Sequence, residues 1–411
     1  MILIKSNKLK TFNDPIYGFI AITNSLIYNL IEEPCFQRLR RISQMGLSNL
    51  VYPGAHHTRF HHALGSMHIM KQAIDILKFK NVKISSKEEE GLLCAILLHD
   101  IGHGPFSHAM ENSLVEGVQH EEISLKFMHY LNAKYKGKLD IAIEIFTGNY
   151  HRKFLNQLVS SQLDMDRLDY LKRDSFYTGV AEGNINSERL ITMLNVVNGQ
   201  LVVEEKGIYS VEKFLMARRF MYWQVYLHKT ALVGEQLLIK ILKRAKSLID
   251  TGYNLPSNGP LSYFLNTHVG PNEFDEEILM LFSKLDDIDV WAAIKGWVNE
   301  EDFVLSNLCK MLVDRKLPHI KVKKRSIDQE KFLKKHNDFQ KKYNLTAEEA
   351  DYFVFHGKIK NQAYNINEQN INILSKNGKL IDVAKGSDHL NIKALAQTVT
   401  KYYVCYPKKS V

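Results

Sequence analysis

The chain has 411 residues, of which 45% are hydrophobic and 24% are charged, enough for two or three domains or one large domain with an appendage. This composition excludes a mostly disordered chain, a collagen-like fibre and a small scaffold held by disulfides. No apolar run reaches the roughly 18 residues that cross a bilayer, and the N-terminal segment has no apolar core of a secretory signal. The four cysteines are far apart and form no CxxC pair. We therefore expect a cytoplasmic protein with reduced thiols and no membrane anchor.

The net charge of +9 is concentrated in one block. Between Lys310 and Lys342, 12 of 33 residues are Lys or Arg and four are Asp or Glu, so the block carries +8 and the rest of the chain is nearly neutral. Such a block binds phosphates or nucleic acid, or it forms a solvated linker or helix face. Nucleic acid bound through residues 310–342 is therefore one candidate partner.

Hydrophobic periodicity predicts a predominantly helical region from residue 26 to about residue 250. One helix is predicted to begin near Ser86, with Glu89 as its partner in a capping box, and to end in the string HDIGHGP. Further helices are predicted from His120 to about Ala133, over 153–173, and from Ser210 to about Ile249 with a break near Gly234.

Two hairpins and one further strand interrupt the helical pattern. Asn198-Gly199 and Asn377-Gly378 each lie between two short β-forming runs, and Asn-Gly favours a two-residue hairpin turn. The alternation in Lys401–Tyr406 predicts a strand. We therefore expect a mostly α fold, with a helical region over residues 1–315 and a smaller α+β lobe over residues 316–411.

The chain contains 17 histidines, and many of them cluster before residue 121. The most informative pair is His99-Asp100, because the apolar run 92–98 before it predicts that the pair ends a buried helix. A buried aspartate beside a buried histidine needs a cation or hydrogen-bond donors. His103, four residues after His99, is expected on the same face. Imidazole together with carboxylate suits Zn, Mn, Fe or Ni, whereas Mg prefers oxygen alone.

Asp166, Tyr170 and Asp174 are spaced by four in a segment that is otherwise typical of a protein core. With Asp164 and Asp169, four acidic groups crowd this segment, and they repel one another unless cations neutralise them. For the nearby Asp164 and Asp169, surface exposure or helix capping is the simpler interpretation.

The long helix predicted after residue 210 carries Arg218, Tyr222 and Tyr226 at the same spacing. An arginine beside tyrosines either extends over core aromatic rings towards the solvent or clamps a phosphate. Both interpretations stay open at this point.

Seven strings resemble, in their order and spacing, those of the HD-domain phosphohydrolase superfamily, and within it the deoxynucleoside triphosphate triphosphohydrolases. The strings are NDPIYGFI (13–20), PCFQRLRRISQMG (34–46), YPGAHHTRFHHALG (52–65), LLHDIGHGPFSH (97–108), QHEE (119–122), DMDRLDYLKRD (164–174) and MARRFMYWQVYLHK (216–229). The similarity spans about residues 10–235, and the C-terminal lobe matches only loosely. The resemblance implies an HD-domain helical bundle whose core covers about residues 50–175.

The resemblance also implies one divalent metal ion per subunit, which could be Mg, Mn, Fe, Ni or Zn. The residues that match the metal ligands of the family are His62, His99, Asp100 and Asp166. Those that match the catalytic group near the α-phosphate are His103, His108, Glu111 and His120. Here His108, supported by Glu111, is the candidate general acid, and Glu111 replaces an aspartate of the relatives.

A further set of residues matches the substrate contacts of the family. The set comprises Gln44, Met45, Arg59, Arg167, Tyr170, Asp174, Arg218 and Tyr226. Arg167 replaces a lysine of the vertebrate enzyme, and Met45 replaces a leucine of some relatives. The reaction implied is the hydrolysis of dNTPs to deoxynucleoside and inorganic triphosphate.

The resemblance finally implies a homo-oligomer, either a dimer or a tetramer, with an activating guanine nucleotide at a subunit interface. The matching residues are Lys10, Glu32, Gln37 and Arg40, with His228 and Lys229 from a neighbouring subunit. Ordinary interface contacts are the alternative for these residues. The alternatives for the whole chain are another HD-type nucleotide phosphohydrolase, or a regulator that binds nucleotides or nucleic acid with little turnover.

Overall fold

The computed structural model describes residues 10–106, 108–111, 113–115, 117–257, 259–271, 273–366, 368, 370–387 and 395–408. Helices dominate these residues, which confirms the mostly α fold. The helices are α1 (Ser25–Ile31), α2 (Pro34–Gln37), α3 (Arg59–Phe79), α4 (Ser86–Leu98), α5 (His108–Glu111), α6 (His120–Lys134), α7 (Asp140–Phe146), α8 (Lys153–Val159), α9 (Met165–Thr178), α10 (Ser187–Thr192), α11 (Ile208–Met221), α12 (Lys229–Asp250), α13 (Gly259–Asn266), α14 (Glu276–Phe282), α15 (Asp287–Gly296), α16 (Phe303–Val313), α17 (Gln329–Tyr343), α18 (Ala347–Asp351) and α19 (Val383–Gly386). The strands are β1 (Lys10–Asp14), β2 (Gly18–Ile22), β3 (Leu194–Val197), β4 (Gln200–Glu204), β5 (His319–Lys323), β6 (Phe355–Asn361), β7 (Asn372–Leu374), β8 (Leu380–Asp382) and β9 (Val399–Tyr406).

Helix α3 packs against both α4 and α9, and these three helices position the candidate site. The approach of α3 to α9 is close at Gly65, where an added Cβ would lie 2.1 Å from Arg173 and 2.2 Å from Asp169. A glycine is therefore required on α3 for these two charged side chains to fit beneath it.

Helix α4 begins with a capping box, but one residue earlier than the sequence indicates. Ser85 is the N-cap and Glu88 completes the box, whereas Ser86 and Glu89 were expected. The helix ends at Leu98, so His99-Asp100 and His103 lie on the turn that follows it. The expectation that His103 follows His99 on one helical face is therefore wrong.

Two of the longer predicted helices are interrupted. The segment 153–173 forms α8 and most of α9, because the buried Asp164 caps the second helix by accepting a hydrogen bond from the backbone of Arg167. After α11, a π-helical segment over Tyr222–Tyr226 leads to a break at Leu227-His228. The predicted break near Gly234 is wrong, since Gly234 is buried inside α12.

The β-strands form three small sheets. Both Asn-Gly hairpins are confirmed, as β3-β4 and β7-β8, and the predicted C-terminal strand is β9. Strand β7 also pairs in parallel with β4, which joins residues 372–374 to the helical region. The third sheet has the order β5-β9-β6. The division of the chain at residue 315 stays a prediction.

Across the described residues, no helix combines the length and the apolar character needed to cross a membrane. The basic block 310–342 covers the end of α16, all of β5 and nearly all of α17.

Candidate metal centre and substrate cavity

Three separate stretches of chain bring two imidazoles and two carboxylates to one point. His62 comes from α3, His99-Asp100 from the turn after α4, and Asp166 from the first turn of α9. Oδ1 of Asp166 lies 3.0 Å from Nε2 of His62 and 3.5 Å from Nε2 of His99. Asp100 lies 3.4 Å from Nε2 of His99 and 3.7 Å from Nε2 of His62.

The donor atoms of this group fit a divalent cation. Nδ1 of His62 lies 2.7 Å from a carboxylate oxygen of Asp169, and Nδ1 of His99 lies 2.6 Å from the carbonyl oxygen of Ile96. Each Nδ1 can donate its proton to that oxygen, which leaves the Nε2 lone pair facing Asp166. Both Nε2 atoms are buried and make no hydrogen bond of acceptable geometry. Two imidazole nitrogens and carboxylate oxygens around one point suit Zn, Mn, Fe or Ni.

The electrostatics of the centre favour positive charge at the same point. Burial lowers the pKa of His62, but the carboxylates of Asp166 and Asp169 outweigh burial and raise this pKa to about 10. Burial likewise raises the pKa of the Asp166 carboxyl, and His62 and His99 reverse this and lower it. An environment that stabilises a proton so strongly also stabilises a metal cation.

Three buried charged residues, Asp169, Arg173 and Asp14, form a hydrogen-bonded chain that begins at Nδ1 of His62. Arg173 donates two hydrogen bonds of 2.9 Å to Asp169, the carboxylate that lies next to His62 Nδ1. Arg173 also donates to Asp14 of β1 at 2.8 Å. Such partners of a metal-binding histidine fix its tautomer and ring orientation. The expectation that Asp169 is exposed or a cap is therefore wrong, whereas for Asp164 the capping interpretation is confirmed.

Asp100 is positioned by Arg59 and His103. Arg59 donates to its Oδ2 at 2.5 Å, and Nε2 of His103 lies 3.4 Å from its Oδ1. Burial raises the pKa of the Asp100 carboxyl, but His99, His103 and Arg59 outweigh burial and lower it. Burial and the Arg59 charge lower the pKa of His103 to about 3, so this imidazole is neutral at pH 7.

The predicted catalytic group is partly described. His120 stacks on His103 with ring centroids 3.7 Å apart, and its Nδ1 lies 2.9 Å from a carboxylate oxygen of Glu111. The side chain of His108 lies outside the described residues. The structure therefore brings His103, His120 and Glu111 together beside Asp100.

A cavity of about 580 Å³ opens above the metal centre. His62 and His99 lie beneath its floor, and Glu111 lies behind His120. The predicted site residues that line the cavity are Gln44, Met45, Arg59, Asp100, His103, His120, Asp166, Arg167, Tyr170, Asp174 and Tyr226.

Arg218 faces a different cavity, of about 590 Å³, which shares Arg167 with the first one. Its Nε and one terminal nitrogen are buried and make no hydrogen bond with a described residue. The grouping of Arg218 with Tyr222 and Tyr226 rests on their spacing of four residues in a predicted unbroken α-helix. The backbone of Tyr222 still donates an α-helical hydrogen bond to Arg218, and the π-helical segment changes the period only between Tyr222 and Tyr226.

Asp174 is engaged by two partners that sequence reasoning did not assign. Its Oδ1 lies 2.7 Å from Nε2 of His57, and its Oδ2 accepts a hydrogen bond of 2.7 Å from the hydroxyl of Tyr226. His57 in turn stacks on Tyr177 with ring centroids 4.3 Å apart. His57 stood out only as a member of a histidine cluster, and nothing in its spacing pointed to Asp174.

Cavity-lining residues that sequence reasoning did not name as site residues are Gly46, Leu47, Ser48, Phe106, Glu121, Tyr222, Leu227, Ala231, Glu235 and Leu238. Half of them lie between Tyr222 and Leu238. Tyr222 and Leu227 belong to the string 216–229, whereas no motif or charge pattern covers the α12 residues Ala231, Glu235 and Leu238.

The residues predicted to bind a regulatory nucleotide lie in two places. Near α1 and α2, the Gln37 side chain donates to Ile31 O and accepts from Arg40, whose guanidinium lies 3.6 Å from the ring centroid of Phe60. Glu32 is exposed, and Lys10 lies over the ring of Tyr28. His228 caps α12, and Lys229 is exposed beside it.

Comparison with known proteins agrees with this geometry. Residues 59–174 match the HD domain family, and residues 185–253 match the family described as HD associated region. The chain is 36% identical to YwfO of Bacillus subtilis over 320 residues, which are 76% of this chain and 72% of YwfO. A crystal structure of a phosphohydrolase from Bacteroides thetaiotaomicron has a TM-score of 0.94 at 47% identity, and the match covers 98% of this chain and 100% of that one.

The chain therefore belongs to the HD-domain phosphohydrolases. The deoxynucleoside triphosphate triphosphohydrolase SAMHD1 homolog of Dictyostelium discoideum is 31% identical over 244 residues, which are 55% of this chain. The chain matches only 47% of that relative's own length.

Proposed function

We propose that this phosphohydrolase converts a dNTP and water to a deoxynucleoside and inorganic triphosphate. The observation that carries the proposal is that Asp100 and Asp166 line a nucleotide-sized cavity with cationic and aromatic walls, and that His62 and His99 lie within 4 Å of these carboxylates. Relatives that bear the name deoxynucleoside triphosphate triphosphohydrolase support this choice of substrate.

Attack of water on the α-phosphorus forms a new P–O bond and breaks the bond to the 5′-oxygen of the nucleoside. When bound, a divalent cation would supply Lewis-acid polarisation of a phosphoryl oxygen and a more acidic water. His62, His99, Asp100 and Asp166 would hold this ion. Arg59 and Arg167 line the same cavity and would stabilise the negative charge of the triphosphate.

The leaving 5′-oxygen needs a proton. His120 reaches the cavity, is oriented by Glu111 and stacks on the neutral ring of His103. We assign the proton transfer to His120 together with His108. A well-placed general acid contributes about 10²–10⁴-fold to the rate.

The choice of deoxyribose over ribose is assigned to a steric effect. Tyr170 and Tyr226 lie on the same wall, with ring centroids 6.2 Å apart, and Asp174 fixes the Tyr226 hydroxyl. A ring held in this way under C2′ leaves no room for a 2′-hydroxyl. We expect little discrimination among the four bases.

Product analysis tests this function directly. The purified protein is incubated with each dNTP and each rNTP, and products are separated by ion-exchange chromatography. Intact triphosphate and deoxynucleoside are expected from the dNTPs and neither from the rNTPs. Release of phosphate or pyrophosphate, or equal turnover of rNTPs, would replace this proposal by another HD-type nucleotide hydrolase.

Activation by a guanine nucleotide is proposed as a separate property. The polar cluster of Gln37 and Arg40 beside Glu32 would contact the guanine, with His228 and Lys229 contributed by a neighbouring subunit of a dimer or tetramer. Adding GTP to an assay of dATP should raise the rate and increase the oligomer measured by light scattering. An unchanged rate and mass would remove the activator but leave the hydrolase proposal intact.

A further inference from the structure

One face of the C-terminal sheet β5-β9-β6 carries a concentration of positive charge outside the metal centre and its cavity. The opposite face packs into the hydrophobic core through residues such as Tyr403 and Cys405. Side chains alternate between the faces of a strand, so register and alternation define the residues of the other face, here called the cationic face. They are His319, Lys321, Lys323, His356, Lys358, Lys360, Thr400, Tyr402, Val404 and Tyr406.

A tyrosine lies between two lysines at the centre of the cationic face. Tyr402 of β9 pairs with Lys323 of β5 on one side and with Lys358 of β6 on the other. Directly opposed side chains of neighbouring strands have Cβ atoms about 5 Å apart, so both lysines flank the ring. Lys321 and Lys360 extend the row of positive charge along the two outer strands.

The lysines of this face form no ion pairs within the part of the chain that the structure describes. Lys321, Lys323, Lys358 and Lys360 are exposed, and none of them forms an ion pair with any carboxylate of the described residues. The three strands contain no acidic residue. Lysines at alternate positions of β5 and β6 repel one another through water, and an anionic ligand bound to this face would relieve that repulsion.

Protection of the sheet edges is the simpler use of these lysines, because β5 and β6 are edge strands and lysines prevent edge-to-edge pairing. This explanation does not extend to Tyr402, which lies on the central strand. Tyr402 is half-buried but, in the described structure, it does not belong to the hydrophobic core. An aromatic ring left outside the core between two unpaired lysines indicates a stacking surface.

Helix α17 covers one end of the face and leaves the other end open. Phe332 packs on His356 with ring centroids 4.6 Å apart, and Lys335 lies 4.1 Å from the ring centroid of Tyr406. Hydrogen bonds from Lys331 and also the charge of Lys323 lower the pKa of Asp328, whose ion pair is formed with Lys331 at 2.8 Å. The open part is therefore the row of Lys323, Tyr402 and Lys358.

We infer that the cationic face binds single-stranded nucleic acid. A base would stack on Tyr402, and the flanking lysines would contact the phosphates on either side of it. Single strands are favoured over duplex because the faces of paired bases are already stacked inside a helix. Recognition should be independent of sequence, since lysine contacts phosphates and the open row has no side chain that reads base edges. This binding surface lies outside the substrate cavity and does not depend on the proposed hydrolase activity.

Fluorescence polarisation with labelled 20-nucleotide dT, U and duplex oligonucleotides tests the inference. The double variant Lys323→Ala/Lys358→Ala should bind dT more weakly and lower the slope of log K against log salt by about 1.4, at roughly 0.7 per phosphate contact. The matched control is Lys87→Ala/Lys138→Ala, which removes two exposed lysines elsewhere and should bind as the wild type does.

Substitutions of Tyr402 provide the second test of the inference. Tyr402→Phe keeps the ring and should retain binding, whereas Tyr402→Leu should lose about five- to 100-fold. Thermal melting checks that both variants are folded. The Asp166→Asn variant should still bind dT, which separates this inference from the hydrolase proposal.

Three results would overturn the inference. The first is no binding of the wild type to dT or U at about 0.1 M salt. The second is an equal loss of affinity in the control variant. The third is equal binding of duplex and single strands with no difference between Tyr402→Phe and Tyr402→Leu, which would reduce the face to a general polyanion surface.

Discussion

The metal centre and the cationic face both concentrate charged side chains, but they stabilise them in opposite ways. At the metal centre Asp169, Arg173 and Asp14 are buried, and each has an oppositely charged partner within 3 Å. At the cationic face Lys321, Lys323, Lys358 and Lys360 are exposed and form no ion pair in the described structure. A buried charge that loses its partner costs several kcal/mol, whereas exposed like charges repel weakly and are screened by salt.

This difference predicts how each region responds to change. At the metal centre, replacing a single carboxylate by an amide should have a large effect, because each buried side chain depends on hydrogen bonds with the next one. The cationic face should respond gradually, with each lysine contributing a similar amount and salt weakening all of them together.

Asp166→Asn should have the largest effect. Asp166 is the carboxylate that faces both metal-site histidines, so its replacement should remove the bound metal and reduce turnover to the assay background. Metal content by elemental analysis and triphosphate release are the two measurements. The control Asp75→Asn changes an exposed aspartate of α3 and should leave both unchanged. Full activity of Asp166→Asn would remove this centre from the mechanism.

His120→Gln should lower kcat by about 10²–10⁴-fold while the metal content is retained, because the group that we assign to proton transfer is lost. Steady-state kinetics and elemental analysis on the same preparation measure this. His129→Gln, an exposed histidine on the same helix, is the matched control. A kcat near that of the wild type would assign the proton to another residue.

Asp169→Asn should weaken metal binding by about 10- to 100-fold, because the partner that orients His62 and pairs with Arg173 loses its charge. Competition with a chelator gives the affinity, and circular dichroism without metal checks the fold. Asp14→Asn changes the next partner of Arg173 and should weaken metal binding by a smaller factor. A folded Asp169→Asn protein with wild-type metal affinity would contradict the supporting role of this chain.

Asp287 is a buried carboxylate that forms no ion pair with any residue the structure describes. Ser43 donates a backbone hydrogen bond to its Oδ2, but its buried Oδ1 has no hydrogen bond among the described residues, and burial raises its pKa to about 6. Between about pH 4 and pH 6 the folded state therefore binds more protons than the unfolded state does. The free energy of unfolding should fall as the pH rises through this window, by about 2 kcal/mol.

Urea denaturation between pH 4 and pH 7 measures this contribution. Asp287→Asn should lack it, so the difference in stability between variant and wild type should change with pH. Asp75→Asn, at an exposed position, should follow the wild type throughout. Parallel curves for Asp287→Asn and the wild type would show that Asp287 does not titrate in this range.

Local signals in the sequence were sufficient for many elements. Both Asn-Gly hairpins were predictable because the turn and its flanking strands are adjacent in the chain. The helices α4 and α6 were predictable to within a few residues from their apolar periodicity. The metal-site and cavity residues were proposed from ordered strings whose spacing resembles that of one enzyme family.

The sequence by itself determined the helical class, the hairpins and the candidate ligands, since these depend on neighbours along the chain and on short motifs. Only the tertiary structure decided the roles of Asp169 and His57, because their partners are 107 and 117 residues away. It also decided that Arg218 faces a second cavity and that Tyr402 lies between lysines of two other strands. A charge or a ring acquires its function from groups that folding brings within a few ångströms, and no local period encodes that distance.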